Sequence, residues 1–459
     1  MGTVLLLLGL LAICILGFRI MGHDIVNPII LFVLPFLIAV ALGLTQYEAW
    51  QFNLHWDTVA LILGSCLAFL LGAILVHFGF QRYGRGEVAF SCQEQGRDSN
   101  IRSSHLLLLL IGQIIIYTFV FLHVVSVVDA YQGPIQGDRT NVLGVYDQLT
   151  KFSDVKTDMP FALELAYLVA TSIGYPLAYF GAQNILGHTK DRIRGQRLNV
   201  TTCLIMLNLF ATFAGLVLTG GKAGAVWFAL AIILIVFIAR GNMRGVRSIR
   251  LNVRTISIIV GVGVALVLST LALVYIVGRN MSGYAGPIGY LLIYVAGSIK
   301  NLDIYLQTDH PAPLYWGSET FKSIYSRIGL ETPDAGLQTY NHIGDTWFGN
   351  VYTALADPYH DFGIFGAIVC LFLFGMVFQF IYELTFTNRS QLLTALSIVV
   401  YGYLSRAIVF AFFSNLLSTS ILSFGFIVRI MVWIVVLWVV VRERNINFGR
   451  KAEIKNHLG

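Results

Sequence analysis

Apolar runs of about 20 residues recur along most of this 459-residue chain, and they restrict its fold more than any other feature. A helix of that length crosses the hydrocarbon core of a bilayer. Because the runs are continuous rather than alternating in polarity, they exclude a β-barrel. The composition agrees, since 57% of the residues are hydrophobic and only 12% are charged. The sequence therefore predicts an all-α polytopic membrane protein.

About eleven transmembrane helices are predicted. They cover residues 3–18, 25–44, 58–80, 106–128, 161–186, 200–218, 224–238, 255–277, 363–382, 393–413 and 420–441. These spans divide the chain into four parts. The parts are a bundle of the first eight spans at 1–277 with an outer loop at 129–160, a large extracytoplasmic loop at 278–362, the C-terminal transmembrane helices at 363–441, and a basic cytoplasmic tail at 442–459.

Basic residues are concentrated on one side of the predicted bundle. The loops at 81–105, 187–199 and 239–254 hold many of them, whereas the long loops on the other side are richer in Asp and Glu. Loops rich in Lys and Arg stay in the cytoplasm. This rule places the N-terminus outside and the C-terminus in the cytoplasm. The net charge of +6 then reflects membrane topology, and no nucleic-acid partner is expected.

The five cysteines predict neither disulfides nor a zinc site. Four of them fall within predicted spans, Cys92 lies in a basic loop, and no Cys-x-x-Cys pair occurs. The chain begins MGTVLLLL without a basic n-region, so a cleaved signal peptide is not expected. No metal and no cofactor are predicted.

The large loop begins with an amphipathic pattern. Apolar residues recur at helical spacing between 286 and 307, at Leu291, Val295, Ile299, Leu302 and Leu306. Such a helix lies on the membrane surface or dips into it. A helix that packs against the bundle has the same periodicity, and the sequence does not separate the two.

The stretch from residue 340 to 366 gathers the polar residues that suit sugar chemistry. We predict His360 or Asp361 as the catalytic base, with His342 in reserve. Asp361 equally suits a helix N-cap, and each histidine equally suits an ordinary hydrogen-bonded role. Candidate sugar-binding residues are Tyr352, Tyr359, Trp347 and Asp345. The aromatic residues among them also fit an interfacial belt.

Four basic residues are candidates for binding a pyrophosphate. Arg406 and Arg429 lie within predicted spans, where an arginine costs about 2.5–3.5 kcal/mol and needs a partner or a watery cavity. Lys222 follows two glycines before a helix start, a position that favours anions. Arg279 marks the outer end of the eighth span. A structural ion pair would also explain the two span arginines, and membrane-surface anchoring would explain Lys222 and Arg279.

One absence bears on the donor substrate. No Asp-x-Asp occurs in the chain, so the usual metal–nucleotide clamp of nucleotide-sugar transferases is missing. A lipid phosphate donor fits this sequence better than a nucleotide donor.

With these features, the chain resembles the Wzy-type oligosaccharide repeat unit polymerases of bacterial O-antigen and capsule assembly. The resemblance rests on the span count, the large late loop and three short motifs. The motifs are NVYT at 350–353, YHDFGIFG at 359–366, and the TGGKAG turn that contains Lys222.

The resemblance implies a GT-C-like, metal-independent glycosyltransferase in the bacterial cytoplasmic (inner) membrane. It would join undecaprenyl-pyrophosphate-linked oligosaccharides on the outer face of that membrane, with a polysaccharide chain-length regulator as partner. Two alternatives stay open. One is an O-antigen-ligase-like enzyme with the same donor, and the other is a non-enzymatic exporter of lipid-linked oligosaccharide.

Overall fold

The computed structural model describes most of the chain. The described residues are 1–83, 101–135, 140–153, 155, 157–187, 200–245, 286–332, 341–344, 346–387 and 390–457, with isolated positions at 261, 268, 271 and 272. Most of them are helical, and the described chain also has one β-hairpin. Most of the eighth predicted span, together with Arg279 and Asp345, lies outside the described residues.

Ten helices of the described chain are strongly apolar. Eight are long and apolar enough to cross a membrane, and two shorter apolar helices lie at Pro28–Leu44 and Phe424–Val440. In chain order the helices are α1 Gly2–Ile20, α2 Pro28–Leu44, α3 Trp56–Tyr83, α4 Ser103–Ala130, α5 Val142–Phe152, α6 Phe161–Ser172, α7 Gly174–Gly187, α8 Val200–Val217 and α9 Lys222–Met243. The chain is therefore an all-α polytopic membrane protein.

The later elements include the large loop and the last helices. They are α10 Gly286–Leu292, a π-helical turn Ile293–Gly297, α11 Ser298–Leu306, α12 Lys322–Arg327, β1 Asn341–Ile343, β2 Thr346–Gly349, α13 Ala356–Thr387, α14 Gln391–Val409, α15 Leu417–Ile421 and α16 Phe424–His457. The two strands pair antiparallel.

One end of the bundle carries the loop segments, and we call it the loop face. The α2–α3 connection at 45–55, helix α11 and the β-hairpin all lie at this end. Asp303 on α11 accepts hydrogen bonds from the His55 N–H (2.8 Å) and the Thr58 hydroxyl (2.7 Å). The Thr3 hydroxyl donates to the Phe52 carbonyl (3.1 Å), so the N-terminal end of α1 lies here as well.

The loop segment from 286 to 306 packs on the bundle. Ile299 and Leu302 are fully buried, and Lys300 donates to the Asp303 carboxylate (3.0 Å) and to a backbone carbonyl. The amphipathic pattern left open a helix on the membrane surface or a helix packed against the bundle, and the structure shows the packed helix. Its apolar stripe faces protein, so the stripe is not an exposed membrane-binding surface.

Helices α3 and α13 pack most closely, because glycines let their backbones approach. A Cβ at Gly72 would overlap the carbonyl oxygen of Phe372, and one at Gly375 would overlap that of Phe69. Small residues at such crossings are how membrane helices gain dispersion contacts without a hydrophobic driving force. The pair therefore forms a rigid spine that runs from the loop face to the opposite face.

At the opposite end of this spine, buried polar side chains join three helices. The His77 Nδ1 lies 2.6 Å from Glu383 Oε1, and Gln379 donates to the same oxygen (2.9 Å). Asn27 at the start of α2 donates to Gln379 (3.1 Å), and Gln81 contacts His77 Nε2 (2.9 Å). We call these five residues the opposite-face network. It satisfies polar groups that would otherwise be costly to bury.

Helix α13 is broken near its start at the loop face. Gly363 has φ 68° and ψ −172°, a conformation that glycine adopts readily and other residues avoid. The helical structure therefore begins at Ala356, seven residues before the predicted start of this span. The break leaves a short arm, residues 356–362, that differs in direction from the membrane-spanning part. This arm carries the polar residues of the candidate site.

Candidate functional site

The short arm and α11 bring a histidine and a tyrosine into contact. His360 Nδ1 lies 2.7 Å from the Tyr305 hydroxyl oxygen. The His310 ring stacks on the Tyr305 ring with centroids 3.6 Å apart. Burial raises the pKa of the Tyr305 phenol, and Asp357 and Glu319 raise it further. The phenol therefore stays protonated at neutral pH, and its oxygen either donates to or accepts from the His360 imidazole, depending on the histidine tautomer.

Asp361 anchors a neighbouring loop. One carboxylate oxygen accepts from the Glu319 N–H (3.2 Å) and the Ser318 hydroxyl (3.4 Å), and the other accepts from the Thr320 N–H (2.6 Å). These contacts are to the 318–320 segment and not to the first N–H groups of the span, so they do not support the N-cap interpretation of Asp361. Because both oxygens already accept hydrogen bonds, the geometry favours an anchoring role over a catalytic one.

Replacing Asp361 with alanine should release the 318–320 segment. Hydrogen bonds to a charged group contribute about 1.5–3 kcal/mol each, so amide exchange at Glu319 and Thr320 should accelerate strongly. Hydrogen–deuterium exchange of the full-length protein in detergent measures this effect. Asp309→Ala, at an exposed position of the same loop, is the matched control. Unchanged protection at 319 and 320 would contradict the anchoring role.

Two further carboxylates belong to this region, Asp357 on the arm and Glu319 beside it. Asn415 donates to Asp357 Oδ2 (2.6 Å), and its own oxygen accepts from the Leu417 N–H (3.2 Å) at the start of α15. Burial raises the pKa of Glu319, and Asp357 raises it further, while Lys322 opposes the shift. A carboxylate with a raised pKa is a better proton acceptor near neutrality. The sequence interpretation gave no role to Glu319 or Asn415.

The two predicted span arginines both lie close to the ring of Tyr403. Arg406 on α14 donates to the Tyr403 hydroxyl (2.6 Å) and to Ser420 (3.4 Å), with its guanidinium 4.1 Å from the Tyr403 ring centroid. Arg429 on α16 lies 5.4 Å from the same centroid and donates to Ser172 (3.0 Å). We call Arg406 and Arg429 the arginine pair.

Neither guanidinium has a carboxylate partner within 4 Å in the described part of the chain. The Arg406 Nε is buried and has no hydrogen-bond partner there. Aromatic faces hold these cations in place but do not neutralise them. Since unpaired charge at membrane depth is costly, the pair suits a bound anion. Within the described part of the chain, neither residue forms the structural ion pair that the sequence left open.

Helix α15 connects the arginine pair to the short arm. Ser420 on α15 contacts Arg406, while Ser418 accepts from Asn415 (3.1 Å), the residue that also binds Asp357. A backbone hydrogen bond from Ala354 to Ala411 (2.7 Å) joins the segments before the arm and after α14. The cations and the polar residues of the arm thus belong to one region at the loop face.

Other predicted site residues have different positions. His342 and Trp347 stack on each other in the hairpin with centroids 4.9 Å apart, and Trp347 is 48% exposed. Tyr352 is 5% exposed and accepts a hydrogen bond from Asn341 (2.9 Å), so its ring packs the hairpin and offers no face to a sugar. Tyr359 is partly exposed. Lys222 begins α9, and its side chain is outside the described residues.

Comparison with known proteins gives this chain no relative. No protein-family model, no curated protein and no solved structure matches it. Its function must therefore be argued from the residues at the loop face. Two features stand out there. The arginine pair has no carboxylate partner in the described chain, and the adjacent arm carries His360.

Proposed function

We propose that this protein is a polymerase of undecaprenyl-pyrophosphate-linked oligosaccharide repeat units. It would act at the outer face of the bacterial cytoplasmic membrane, with the loop face outside and the C-terminus in the cytoplasm. The observation that carries the proposal is the arginine pair, which has no carboxylate partner among the described residues and lies next to the His360 arm. The proposal includes a GT-C-like architecture of eleven transmembrane helices and a polysaccharide chain-length regulator as partner.

The arginine pair would hold the leaving group. In the proposed step, the bond between the anomeric carbon and the pyrophosphate oxygen breaks, and the pyrophosphate departs with the electron pair. Arg406 and Arg429, assisted by Lys222 and Arg279, would stabilise the negative charge that develops. Preorganised cations in a site of low dielectric are the strongest means of doing so.

His360 is the proposed proton acceptor. The hydroxyl oxygen of the acceptor sugar forms the new bond to the anomeric carbon, and its proton passes to His360 Nε2. This role requires the tautomer in which Nδ1–H donates to the Tyr305 oxygen, which lies 2.7 Å away. Glu319 is the second candidate base because of its raised pKa, and His342 stays in reserve.

Replacing Tyr305 with phenylalanine should lower the turnover number about 10-fold, because the imidazole loses the partner that orients it and fixes its tautomer. The Michaelis constant should change little, since the phenol lies behind the reacting nitrogen. Steady-state formation of the first glycosidic bond measures both constants. Tyr131→Phe, whose hydroxyl bonds a carbonyl in another loop, is the control. An unchanged turnover number would remove His360 from the proposed mechanism.

Sugar recognition would fall to the hairpin and the arm. Trp347 presents an exposed indole supported by His342, and Tyr359 is partly exposed beside His360. Flat aromatic faces of this kind suit the apolar faces of pyranose rings. Asp345, which lies outside the described residues, stays in the proposal as a hydrogen-bond partner for sugar hydroxyl groups.

One reconstitution separates the three functional hypotheses. The purified protein in nanodiscs receives a single lipid-linked repeat unit as the only sugar substrate. A polymerase makes a ladder of products. A ligase makes nothing until lipid A core is added, and an exporter moves the substrate across a liposome membrane without forming a glycosidic bond. We expect the ladder, and its absence under conditions that support either alternative would overturn the proposal.

A further inference from the structure

Part of the large loop exposes an unusual number of apolar side chains. Trp316 is 73% exposed and Ile328 is 64% exposed, although both lie in ordered loop segments. The exposed apolar side chains of this segment are Leu314, Tyr315, Trp316, Ile324, Ile328 and Leu330. We call this set the 314–330 surface. Such a patch on an extramembrane segment indicates an interaction partner.

A turn and hydrogen bonds within the segment keep these side chains on its surface. Gly317 has φ 75°, and a Cβ there would overlap the Phe321 ring. The Phe321 N–H donates to the Gly317 carbonyl (2.8 Å), and the Tyr325 hydroxyl donates to the Trp316 carbonyl (2.6 Å). The exposure is therefore a property of an organised turn and helix.

Both ends of the segment contact membrane-spanning helices where those helices emerge at the loop face. The Trp316 ring lies 4.9 Å from the Phe362 ring at the α13 break, and the Arg327 guanidinium lies 4.9 Å from the Phe424 ring at the start of α16. On the same two helices, Phe365 is 85% exposed and Phe424 is exposed too. The 314–330 surface is thus continuous with the lipid-facing surfaces of α13 and α16.

The types of residue favour lipid over a protein partner. Tryptophan and tyrosine are enriched at the boundary between headgroups and acyl chains. Lys322 and Arg327 lie on α12 among the apolar residues, and basic side chains at this depth reach lipid phosphates. A protein interface would not need to be continuous with the lipid-facing surfaces of two spans.

We propose that the 314–330 surface is embedded in the bilayer leaflet at the loop face, with ordinary phospholipid as its partner. The embedded segment lies against α15, the helix that contacts Arg406. It would therefore fix the large loop at a constant depth over the arginine pair. This inference is independent of the proposed enzymatic function, because it concerns bulk lipid.

Site-specific photocrosslinking tests the proposal in the full-length protein. Benzoylphenylalanine replaces Ile328, an exposed residue whose substitution leaves the packing intact. The same probe at Leu373, an exposed apolar position in the spanning part of α13, is the positive control, and at Asp309 it is the negative control. The protein is reconstituted in nanodiscs of phospholipid that contain no polyprenyl lipid, and adducts are identified by mass spectrometry.

We expect phospholipid adducts at 328 and 373 and none at 309. A lack of adduct at 328, while 373 is labelled, would overturn the proposal. So would a crosslink at 328 to a second copy of the chain, or an adduct that forms only after polyprenyl pyrophosphate lipid is added. The last result would assign the surface to the tail of the substrate and would leave the proposed polymerase function standing.

Discussion

Replacing Arg406 with alanine should reduce polymer formation by about 100- to 1000-fold, the range seen when one preorganised group that stabilises transition-state charge is removed. Single lipid-linked repeats should accumulate unchanged. The physical reason is that Arg406 has no carboxylate to neutralise it in the described chain, so its charge is available to the departing pyrophosphate. Polymer length on gels and the rate of the first transfer in nanodiscs measure the effect.

Two further variants make this result interpretable. Arg406→Lys keeps the charge but loses the planar fork that binds a phosphate through two hydrogen bonds, so it should restore only part of the activity. Arg19→Ala removes an exposed arginine at the opposite end of the bundle and should behave as the wild type. Normal chain lengths in Arg406→Ala would contradict the assignment of the pyrophosphate site.

The positions of the spanning helices in the described chain could be predicted from the sequence, because a bilayer crossing needs a continuous apolar run that is visible locally. The start of α13 could not be predicted from the sequence. The break at Gly363 lets a helical arm precede the span, and a glycine within an apolar run does not reveal which backbone conformation it adopts.

The partners of the site residues could not be predicted, because they come from distant parts of the chain. Asp361 accepts hydrogen bonds from the backbone N–H groups of Glu319 and Thr320, some 40 residues away, and no local pattern marks that contact. Tyr403 lies close to two arginines, and only Arg406 is near it in sequence. The amphipathic segment 286–307 shows a related limit, since its periodicity is the same whether the apolar stripe meets lipid or protein.

Helix α13 extends from the candidate site to the opposite face of the bundle. Its arm carries His360 at the loop face, and its last turns carry Gln379 and Glu383 at the opposite face. At about 1.5 Å per residue, Glu383 lies roughly 30 Å from the Gly363 break. The contacts of Glu383 should therefore affect the stability of the protein, while the proposed chemistry depends on the loop-face end of the helix.

Replacing Glu383 with alanine should lower the free energy of unfolding by about 3–5 kcal/mol, the usual cost of removing one member of a buried pair of ionisable groups. His77 Nδ1 and the Gln379 amide would both lose their common acceptor, Glu383 Oε1, in a site that is almost fully buried. Thermal unfolding of the purified protein in detergent measures the change. Glu48→Ala, an exposed carboxylate in the α2–α3 connection, is the matched control.

A double mutant distinguishes the loss of the specific His77–Glu383 contact from general destabilisation of the core. His77 and Glu383 are in direct contact, so the effects of His77→Ala and Glu383→Ala should combine to less than their sum. Below its unfolding temperature, Glu383→Ala should still make polymer of normal length, because the arm that carries His360 lies at the other end of α13. Loss of polymer in a variant that remains folded would show that the two ends of this helix are coupled, so that stability and the proposed chemistry are not separate.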